Sequence, residues 1–252
     1  MTGFDVDLPR IFAHRGASAV APENTLPAFE AAAAMGARAV EFDVSLLGDG
    51  TAVIHHDGNF ARCTNREGAL AEASRADLAT LDAGAWFADA FRGAVVPELS
   101  AALDCLETLG LAANLEIKLH GADPARFADT VAEALAARPT LAARTVVSSF
   151  DHVALEALAR VSPDQPLAAL WSLPPSDWHA RMMDMGASAL HTNWRKLTPA
   201  TLEEAVETQI PVRVYTCNDP AELAPFRPLL SAVITDDPRV FFGDPDWAEW
   251  AT

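Results

Sequence analysis

The sequence is poor in cysteine and in lysine, and none of its apolar stretches is long. Its three cysteines, Cys63, Cys105 and Cys217, form an odd number and show no Cys-x-x-Cys spacing. A disulfide framework needs an even and denser set of cysteines, and a structural zinc site needs closely spaced pairs. We therefore expect neither a disulfide-held domain nor a zinc centre.

No apolar run approaches the roughly 20 residues that span a bilayer, although 50% of the residues are hydrophobic. The first nine residues include Asp5 and Asp7 and lack the basic, then apolar order of a secretory signal. These two features predict a cytoplasmic location without stable membrane insertion.

Positive charge is also scarce, because 18 lysines and arginines stand against 35 aspartates and glutamates, for a formal net charge of −17. The lysines are Lys118 and Lys196 alone. Nucleic acids and anionic membranes are bound by basic surfaces, so we expect no nucleic-acid partner. An anionic ligand would have to be attracted locally, by Lys118, an arginine and a bound cation.

Carboxylates interrupt two short apolar segments. Residues 39–44 contain Glu41 and Asp43, which share one face of a strand because side chains alternate. Two buried carboxylates repel each other and take up protons unless a cation lies between them. Glu116 stands in a second segment of this kind, with Lys118 two residues later. Three carboxylates suit one divalent cation, Mg²⁺ or Ca²⁺, better than zinc.

Strand and helix patterns alternate along most of the chain, and eight strands are expected to be parallel. They cover residues 10–14, 39–44, 113–118, 145–149, 167–170, 189–192, 212–216 and 232–235. Eight such βα units predict an α/β fold of the (β/α)8 TIM-barrel type, forming a single domain over residues 1–252.

Two segments do not fit the parallel repeat. Residues 51–57 follow the turn Gly48-Asp49-Gly50, which is too short for a parallel crossover, so we expect an antiparallel return strand. Residues 58–96 are broken by glycine, asparagine and scattered aromatics. They predict a small inserted lobe after the second barrel strand, placed where it can shape access to a site.

Polar residues at the carboxyl ends of barrel strands line the active site of this fold. The expected set is His14, Arg15, Glu41, Asp43, His56, Glu116 and Lys118, with Ser149, Phe150, His191, Asn193, Tyr215 and Asn218 behind it. A metal, two histidines, an arginine and a lysine together suit attack on a phosphodiester. One imidazole removes a proton from the nucleophile, and the other protonates the leaving alkoxide.

Taken together, these motifs resemble those of the glycerophosphodiester phosphodiesterase family, and in particular its small cytosolic bacterial type. The resemblance runs nearly end to end, in order, through His14-Arg15-Gly16, Pro22-Glu23-Asn24-Thr25, Glu41-Phe42-Asp43, Asp49-Gly50 to His56-Asp57, Arg62-Cys63-Thr64-Asn65, Leu81-Asp82-Ala83-Gly84, Asn114-Leu115-Glu116-Ile117-Lys118, Ser148-Ser149-Phe150, Val214-Tyr215-Thr216-Cys217-Asn218 and Thr235-Asp236.

The resemblance implies a metal-dependent hydrolysis of glycerophosphodiesters to sn-glycerol 3-phosphate and an alcohol. It further implies one divalent cation on Glu41, Asp43 and Glu116, and His14 and His56 as the acid/base pair. Arg15 and Lys118 would bind phosphate, while Phe150 and Tyr215 complete the predicted substrate contacts. Tyr215 stands where many relatives have tryptophan.

Several points stay open from the residues alone. Cleavage of lysolipids by a related phospholipase and a non-catalytic barrel that binds phosphodiesters are the alternative functions, and an oligomer is possible. The nucleophile is either water or the glycerol 2-hydroxyl of the substrate. His191 and Asn193 are either site residues or hydrogen-bonded core residues. Asp236 and Asp237 are expected to cap the segment that follows Pro238.

Overall fold

The computed structural model describes residues 8–250. Nine strands form one sheet: β1 Ile11–His14, β2 Ala39–Leu46, β3 Ala52–Ile54, β4 Ala112–Ile117, β5 Thr145–Ser149, β6 Leu167–Trp171, β7 Ala189–Asn193, β8 Val212–Tyr215 and β9 Ala232–Thr235. All except β3 are parallel, and β1 pairs with both β2 and β9, which closes the sheet into an eight-stranded barrel. The predicted TIM-barrel fold is therefore confirmed.

The helices follow the barrel strands, as right-handed βα connections require. Their bounds are α1 Leu26–Ala34, α2 Leu99–Leu109, α3 Pro124–Ala136, α4 Pro139–Ala142, α5 His152–Val161, α6 Trp178–Asp184, α7 Pro199–Thr208, α8 Pro220–Leu223 and α9 Arg239–Phe242. Proline occupies the first turn of several of them, where the missing N–H costs nothing. No helix within residues 8–250 has the length and apolar character that crossing a membrane would need.

On several strands, the inward face of the barrel changes from apolar to polar side chains along the strand. One layer consists largely of alanines, such as Ala39 on β2 and Ala112 on β4. Side chains two and four positions apart on a strand share one face. Because Ala39 faces inward, Glu41 and Asp43 face inward as well. The outward residues of β2, for example Phe42, pack beneath the helices in the main core. The alternation therefore carries carboxylates to one end of the barrel.

The antiparallel return is also observed, because β3 pairs with β2 in register Ser45↔Val53. The following residues 58–96 contain three short 3-10 helices, at Leu70–Glu72, Arg75–Thr80 and Asp89–Phe91. They form a separate buried apolar cluster together with Leu47 and Val53 of the preceding hairpin. Its other members are Phe60, Leu70, Ala73, Leu78, Leu81, Ala83 and Val96. We propose that this segment is the inserted lobe of a single-domain protein, while residues 1–7 and 251–252 of the predicted domain lie outside the described residues.

Candidate active site

Three buried carboxylates meet between the middle of β2 and the carboxyl end of β4. Glu41, Asp43 and Glu116 each offer an oxygen, and these oxygens lie within 4.8 Å of one another. Asp43 and Glu116 are paired positions of the two parallel strands, which explains their proximity. Such a group could hold a metal ion.

The three carboxylates differ in pKa because their charged neighbours differ. Burial, together with the charges of Asp43 and Glu116, raises the pKa of Glu41 well above its ordinary value. Burial and the charge of Asp43 likewise raise the pKa of Glu116 to about 7. Burial also opposes ionisation of Asp43, but the charges of Arg15 and Lys118 outweigh it and hold the pKa of Asp43 at about 2. Without a cation, proton uptake is therefore favoured at Glu41 and Glu116 and opposed at Asp43.

Glu41 provides a direct test of whether a cation fits this position. Its Oε2 accepts a hydrogen bond from the backbone N–H of Arg15 at 3.1 Å, whereas its buried Oε1 has no hydrogen-bond partner among the described residues. A buried unpaired carboxylate oxygen is costly. A divalent cation with oxygen ligands would satisfy it, so the donor set fits a metal.

A tight turn after β1 places Arg15 beside this cluster. Arg15 adopts a positive φ of 56°, and Gly16 follows with φ 82°. A Cβ on Gly16 would lie 2.6 Å from the carbonyl carbon of Ala28, so only glycine fits there. The turn brings Arg15 Nε to 3.1 Å from Asp43 Oδ2, and its Nη1 donates to Glu23 Oε1 at 2.7 Å.

Asn24 fixes the orientation of Asp43. Its Nδ2 donates to Asp43 Oδ2 at 2.8 Å, and its Oδ1 accepts the backbone N–H of Asp43 at 3.1 Å. The sequence motif included Asn24, but no pattern assigned it this role. The contact depends on the loop before α1 folding back over β2.

Each of the two predicted histidines has its Nδ1 held by a carboxylate. His14 Nδ1 lies 2.6 Å from Asp236 Oδ1, and His56 Nδ1 lies 2.6 Å from Asp57 Oδ1. An ionised carboxylate only accepts hydrogen bonds, so Nδ1 carries the proton and Nε2 is left for other partners. His14 Nε2 lies 3.8 Å from Glu41 Oε2. Burial lowers the pKa of His56, which favours the neutral ring.

The expectation that Asp236 and Asp237 both act as caps is wrong for Asp236. Asp237 Oδ1 accepts the backbone N–H of Arg239 at 3.1 Å, which is a local turn contact. Asp236 instead contacts His14, which lies across the seam between β1 and β9. This contact could not be predicted from sequence spacing, because the two residues become neighbours only when the barrel closes.

Lys118 also borders the carboxylates. Its Nζ contacts the Glu116 carboxylate and lies 3.3 Å from Asp43 Oδ1. Burial opposes its charge, but Asp43 and Glu116 outweigh this and raise its pKa. The ammonium also lies 5.5 Å from the ring centroid of Phe150. Lys118 therefore stays charged between the acidic cluster and an aromatic wall.

The predicted residues share one cavity of about 260 Å³. Its lining comprises His14, Arg15, Glu41, His56, Asn114, Glu116, Lys118, Phe150, Leu170, Tyr215, Thr216 and Ile234. Asp43 lies just behind it, 1% exposed. The rings of Phe150 and Tyr215 pack edge to face at 5.9 Å, and the Tyr215 hydroxyl donates to the Trp171 carbonyl at 3.2 Å. One side of the cavity is thus charged, and the other is apolar.

Four other polar members of the expected set do not line the cavity: Ser149, His191, Asn193 and Asn218. Ser149 instead donates to the Ile117 carbonyl at 2.7 Å. His191 is fully buried inside the barrel, with Nε2 3.1 Å from Arg213 Nη1. Asn193 accepts the backbone N–H of Arg195 and caps a 3-10 turn. His55 follows β3, is 5% exposed and packs against Phe60, whereas its neighbour His56 lines the cavity.

Arg62 lies next to the site, and no sequence pattern assigned it a role. It reaches from residues 58–96 and donates from Nε to Asp57 Oδ2 at 2.7 Å. It also donates from Nη1 to Glu23 Oε2 at 2.7 Å. Because Glu23 binds Arg15 and Asp57 binds His56, Arg62 links the supports of two site residues.

Comparison with known proteins finds similar chains over most of the length of this one. A glycerophosphodiester phosphodiesterase of Caldanaerobacter subterraneus subsp. tengcongensis is 28% identical over 235 residues, covering 91% of this chain and 94% of that protein. The structure of an Oleispira antarctica phosphodiesterase in complex with the product sn-glycerol 3-phosphate has a TM-score of 0.89 and 29% identity, covering 93% of this chain and 96% of that one. A glycerophosphodiester phosphodiesterase structure from Agrobacterium tumefaciens has a TM-score of 0.79 and 28% identity, covering 94% of this chain and 100% of that one.

The model of the glycerophosphoryl diester phosphodiesterase family matches residues 14–240, a span that contains every predicted site residue. The family resemblance read from the motifs is thereby confirmed, and the chain belongs to the glycerophosphoryl diester phosphodiesterase family.

Proposed function

We propose that this protein hydrolyses glycerophosphodiesters to sn-glycerol 3-phosphate and an alcohol with the aid of one divalent cation. The observation that carries the proposal is the meeting, at one cavity, of the carboxylate cluster with two imidazoles whose Nδ1 atoms are held by carboxylates. A related enzyme of that name and a related structure with bound sn-glycerol 3-phosphate support the choice of substrate.

Glu41, Asp43 and Glu116 would hold the cation, and an all-oxygen donor set favours Mg²⁺ or Ca²⁺. When bound, such an ion stabilises negative charge that develops on phosphoryl oxygens. Arg15 and Lys118 border the same cavity and neutralise the remaining phosphate charge. Arginine does so through paired N–H donors and lysine as a point charge.

His14 and His56 perform the proton transfers. One Nε2 accepts the proton of the nucleophile, and the other delivers a proton to the leaving alkoxide, which departs poorly without it. The nucleophile is water or the glycerol 2-hydroxyl, and phosphorus NMR during turnover separates the two. A cyclic phosphate signal indicates the 2-hydroxyl route, whereas ¹⁸O incorporation without a cyclic species indicates direct attack by water.

Phe150 and Tyr215 form the side of the cavity that receives the alcohol. Phe150 is 43% exposed, and this exposed ring is the observation that favours the second candidate, cleavage of lysolipids. The net charge of −17 opposes binding to anionic membranes. Rates on soluble glycerophosphocholine and on vesicles containing lysophosphatidylcholine decide between the two. A faster rate on vesicles would replace the first proposal by the second.

The experiment for the main proposal measures release of sn-glycerol 3-phosphate from glycerophosphocholine, with Mg²⁺, with Ca²⁺ and with EDTA. His14→Ala is compared with wild type and with His179→Ala, a histidine on α6 outside the cavity. Release that is lost with EDTA and in His14→Ala, but kept in His179→Ala, supports the proposal. Binding of glycerophosphodiesters without turnover in any metal would indicate a non-catalytic barrel instead.

A further inference from the structure

Asp236 lies one position beyond β9, next to the end of β1. The two strands pair in register Ala13↔Thr235, so the next residues along, His14 and Asp236, are neighbours across the seam that closes the barrel. Their side chains meet at 2.6 Å between Nδ1 and Oδ1. The contact therefore follows from barrel closure and not from a local turn.

Three side chains fix the orientation of the Asp236 carboxylate. Oδ1 accepts from His14 Nδ1 and from Ser18 Oγ at 3.0 Å, and Oδ2 accepts from Asn218 Nδ2 at 2.7 Å. Asn218 is itself held, because its Oδ1 accepts the backbone N–H of Asp236 at 2.8 Å and the Thr235 hydroxyl at 2.9 Å. Both carboxylate oxygens are thus occupied in one fixed arrangement.

The two histidine supports differ in how their charge is balanced. Asp57, which holds His56, is also paired with Arg62 at 2.7 Å. The side-chain partners of Asp236 within residues 8–250 are a hydroxyl, an amide and the His14 ring. The negative charge of Asp236 is therefore directed mainly at His14.

We propose that Asp236 is a positioning residue for His14 in the reaction proposed above, on which this inference rests. Its carboxylate accepts the Nδ1 proton, which selects the tautomer with a free Nε2 and keeps the ring from rotating. Nε2 then lies on the side of Glu41 and the cavity. Asp236 does not touch the reacting atoms and acts only through His14.

Asp237 supplies a matched control one residue away. Its carboxylate pairs with Arg239, at 2.7 Å from Nη2, and contacts no residue of the cavity lining. Asp236→Asn and Asp237→Asn therefore make the same chemical change at adjacent positions. Only the first alters the support of His14.

The kinetic experiment compares Asp236→Asn, Asp237→Asn, His14→Ala and the double variant His14→Ala/Asp236→Asn on glycerophosphocholine. We expect Asp236→Asn to lower kcat by about 10²-fold, the scale of one proton-transfer group, with KM changed by no more than about threefold. Asp237→Asn should match wild type, and Asp236→Asn should add no loss to His14→Ala. Equal losses from Asp236→Asn with and without His14 would overturn the proposal, as would a loss of the same size in Asp237→Asn.

A spectroscopic measurement tests the same proposal without depending on turnover. Nitrogen-15 NMR of the histidine rings in metal-free protein should show His14 as the Nδ1–H tautomer in wild type and as a mixture in Asp236→Asn. A wild-type His14 that carries its proton on Nε2 would overturn the positioning role even if Asp236→Asn fails to fold. If no glycerophosphodiester is cleaved but the tautomer shift is seen, the proposed function fails while the positioning contact stands.

Discussion

Asp43 and Glu116 face each other at paired positions of β2 and β4, with the Lys118 ammonium in contact with both carboxylates. Glu41 brings a third carboxylate into the same group, and Arg15 brings a second cation. If all three carboxylates were ionised, they would exceed the two cations and leave negative charge in a buried position. Burial and this repulsion together raise the pKa values of Glu41 and Glu116. A cation is the natural complement, and its absence or presence should be visible in the protein's stability.

Glu41→Gln should stabilise the metal-free protein and abolish stabilisation by metal. The change replaces a buried carboxyl, whose ionisation is opposed by burial and by Asp43 and Glu116, with a neutral amide of the same shape, so we expect the metal-free free energy of unfolding at pH 8 to rise by about 1 kcal/mol. Wild type at 100 times the Kd should gain about 2.7 kcal/mol from the ion. Thermal unfolding with EDTA and with Ca²⁺ measures both effects. Glu30→Gln, an exposed change on α1, is the control and should behave as wild type in both conditions.

The metal-free protein should lose stability between pH 5 and pH 8 because of Glu116. Its pKa is raised from an ordinary 4.5 to about 7, so folding favours the protonated form. That contribution is fully present below about pH 4.5 and is lost as pH rises through about 7, an upper bound of about 3 kcal/mol. Asp43, with a pKa of about 2, titrates below this window.

The measurement is urea unfolding in EDTA at pH 5 and pH 8, for wild type and Glu116→Gln. The difference in free energy of unfolding between the two proteins should shift in favour of the variant as pH rises. A difference that stays constant across this range would contradict the raised pKa of Glu116.

Arg62→Gln should lower activity although Arg62 does not line the cavity. It frees Asp57 and Glu23 from their shared partner, so the supports of His56 and Arg15 loosen. Loss of an outer partner of this kind costs about 10- to 100-fold in the metal sites where it has been measured. Arg66→Gln is the control, because Arg66 pairs with Asp77 at 2.7 Å in the same segment. The prediction fails if the two variants lose kcat equally.

Gly16→Ala should destabilise the protein more than Gly36→Ala. Both glycines have positive φ, 82° and 91°, so both alanines carry the left-handed strain of about 1–2 kcal/mol. A Cβ at Gly16 also meets Ala28 backbone at 2.6 Å, whereas a Cβ at Gly36 meets nothing within 4 Å. Urea unfolding should give Gly16→Ala the larger loss, and metal affinity should fall with it because Arg15 shifts. Equal losses would show that the backbone relaxes at Gly16.

The barrel and the core of its site could be predicted because both rest on local periodicity. Alternation within one strand places Glu41 and Asp43 on the same face of β2, whatever the rest of the chain does. A short turn compels β3 to return antiparallel to β2. The roles of Phe150 and Tyr215 stay predictions, although both line the cavity.

Contacts between distant segments could not be predicted in the same way. His191 stands near the end of the predicted strand 189–192, yet in the structure it lies in the middle of β7, inside the barrel against Arg213, because depth along the inward face is set by the stagger of all eight strands. Asn24 and Arg62 gained their roles from loops that fold back over the barrel mouth. The direction of these loops depends on their packing, which no periodic pattern in the sequence indicates.

Only the tertiary structure decided which carboxylate serves which imidazole. Asp57 is next to His56 in the chain, but Asp236 is 222 positions from His14 and reaches it only because β9 pairs with β1. Barrel closure is a cooperative property of all strands, so the partner of His14 appears only when the last strand meets the first.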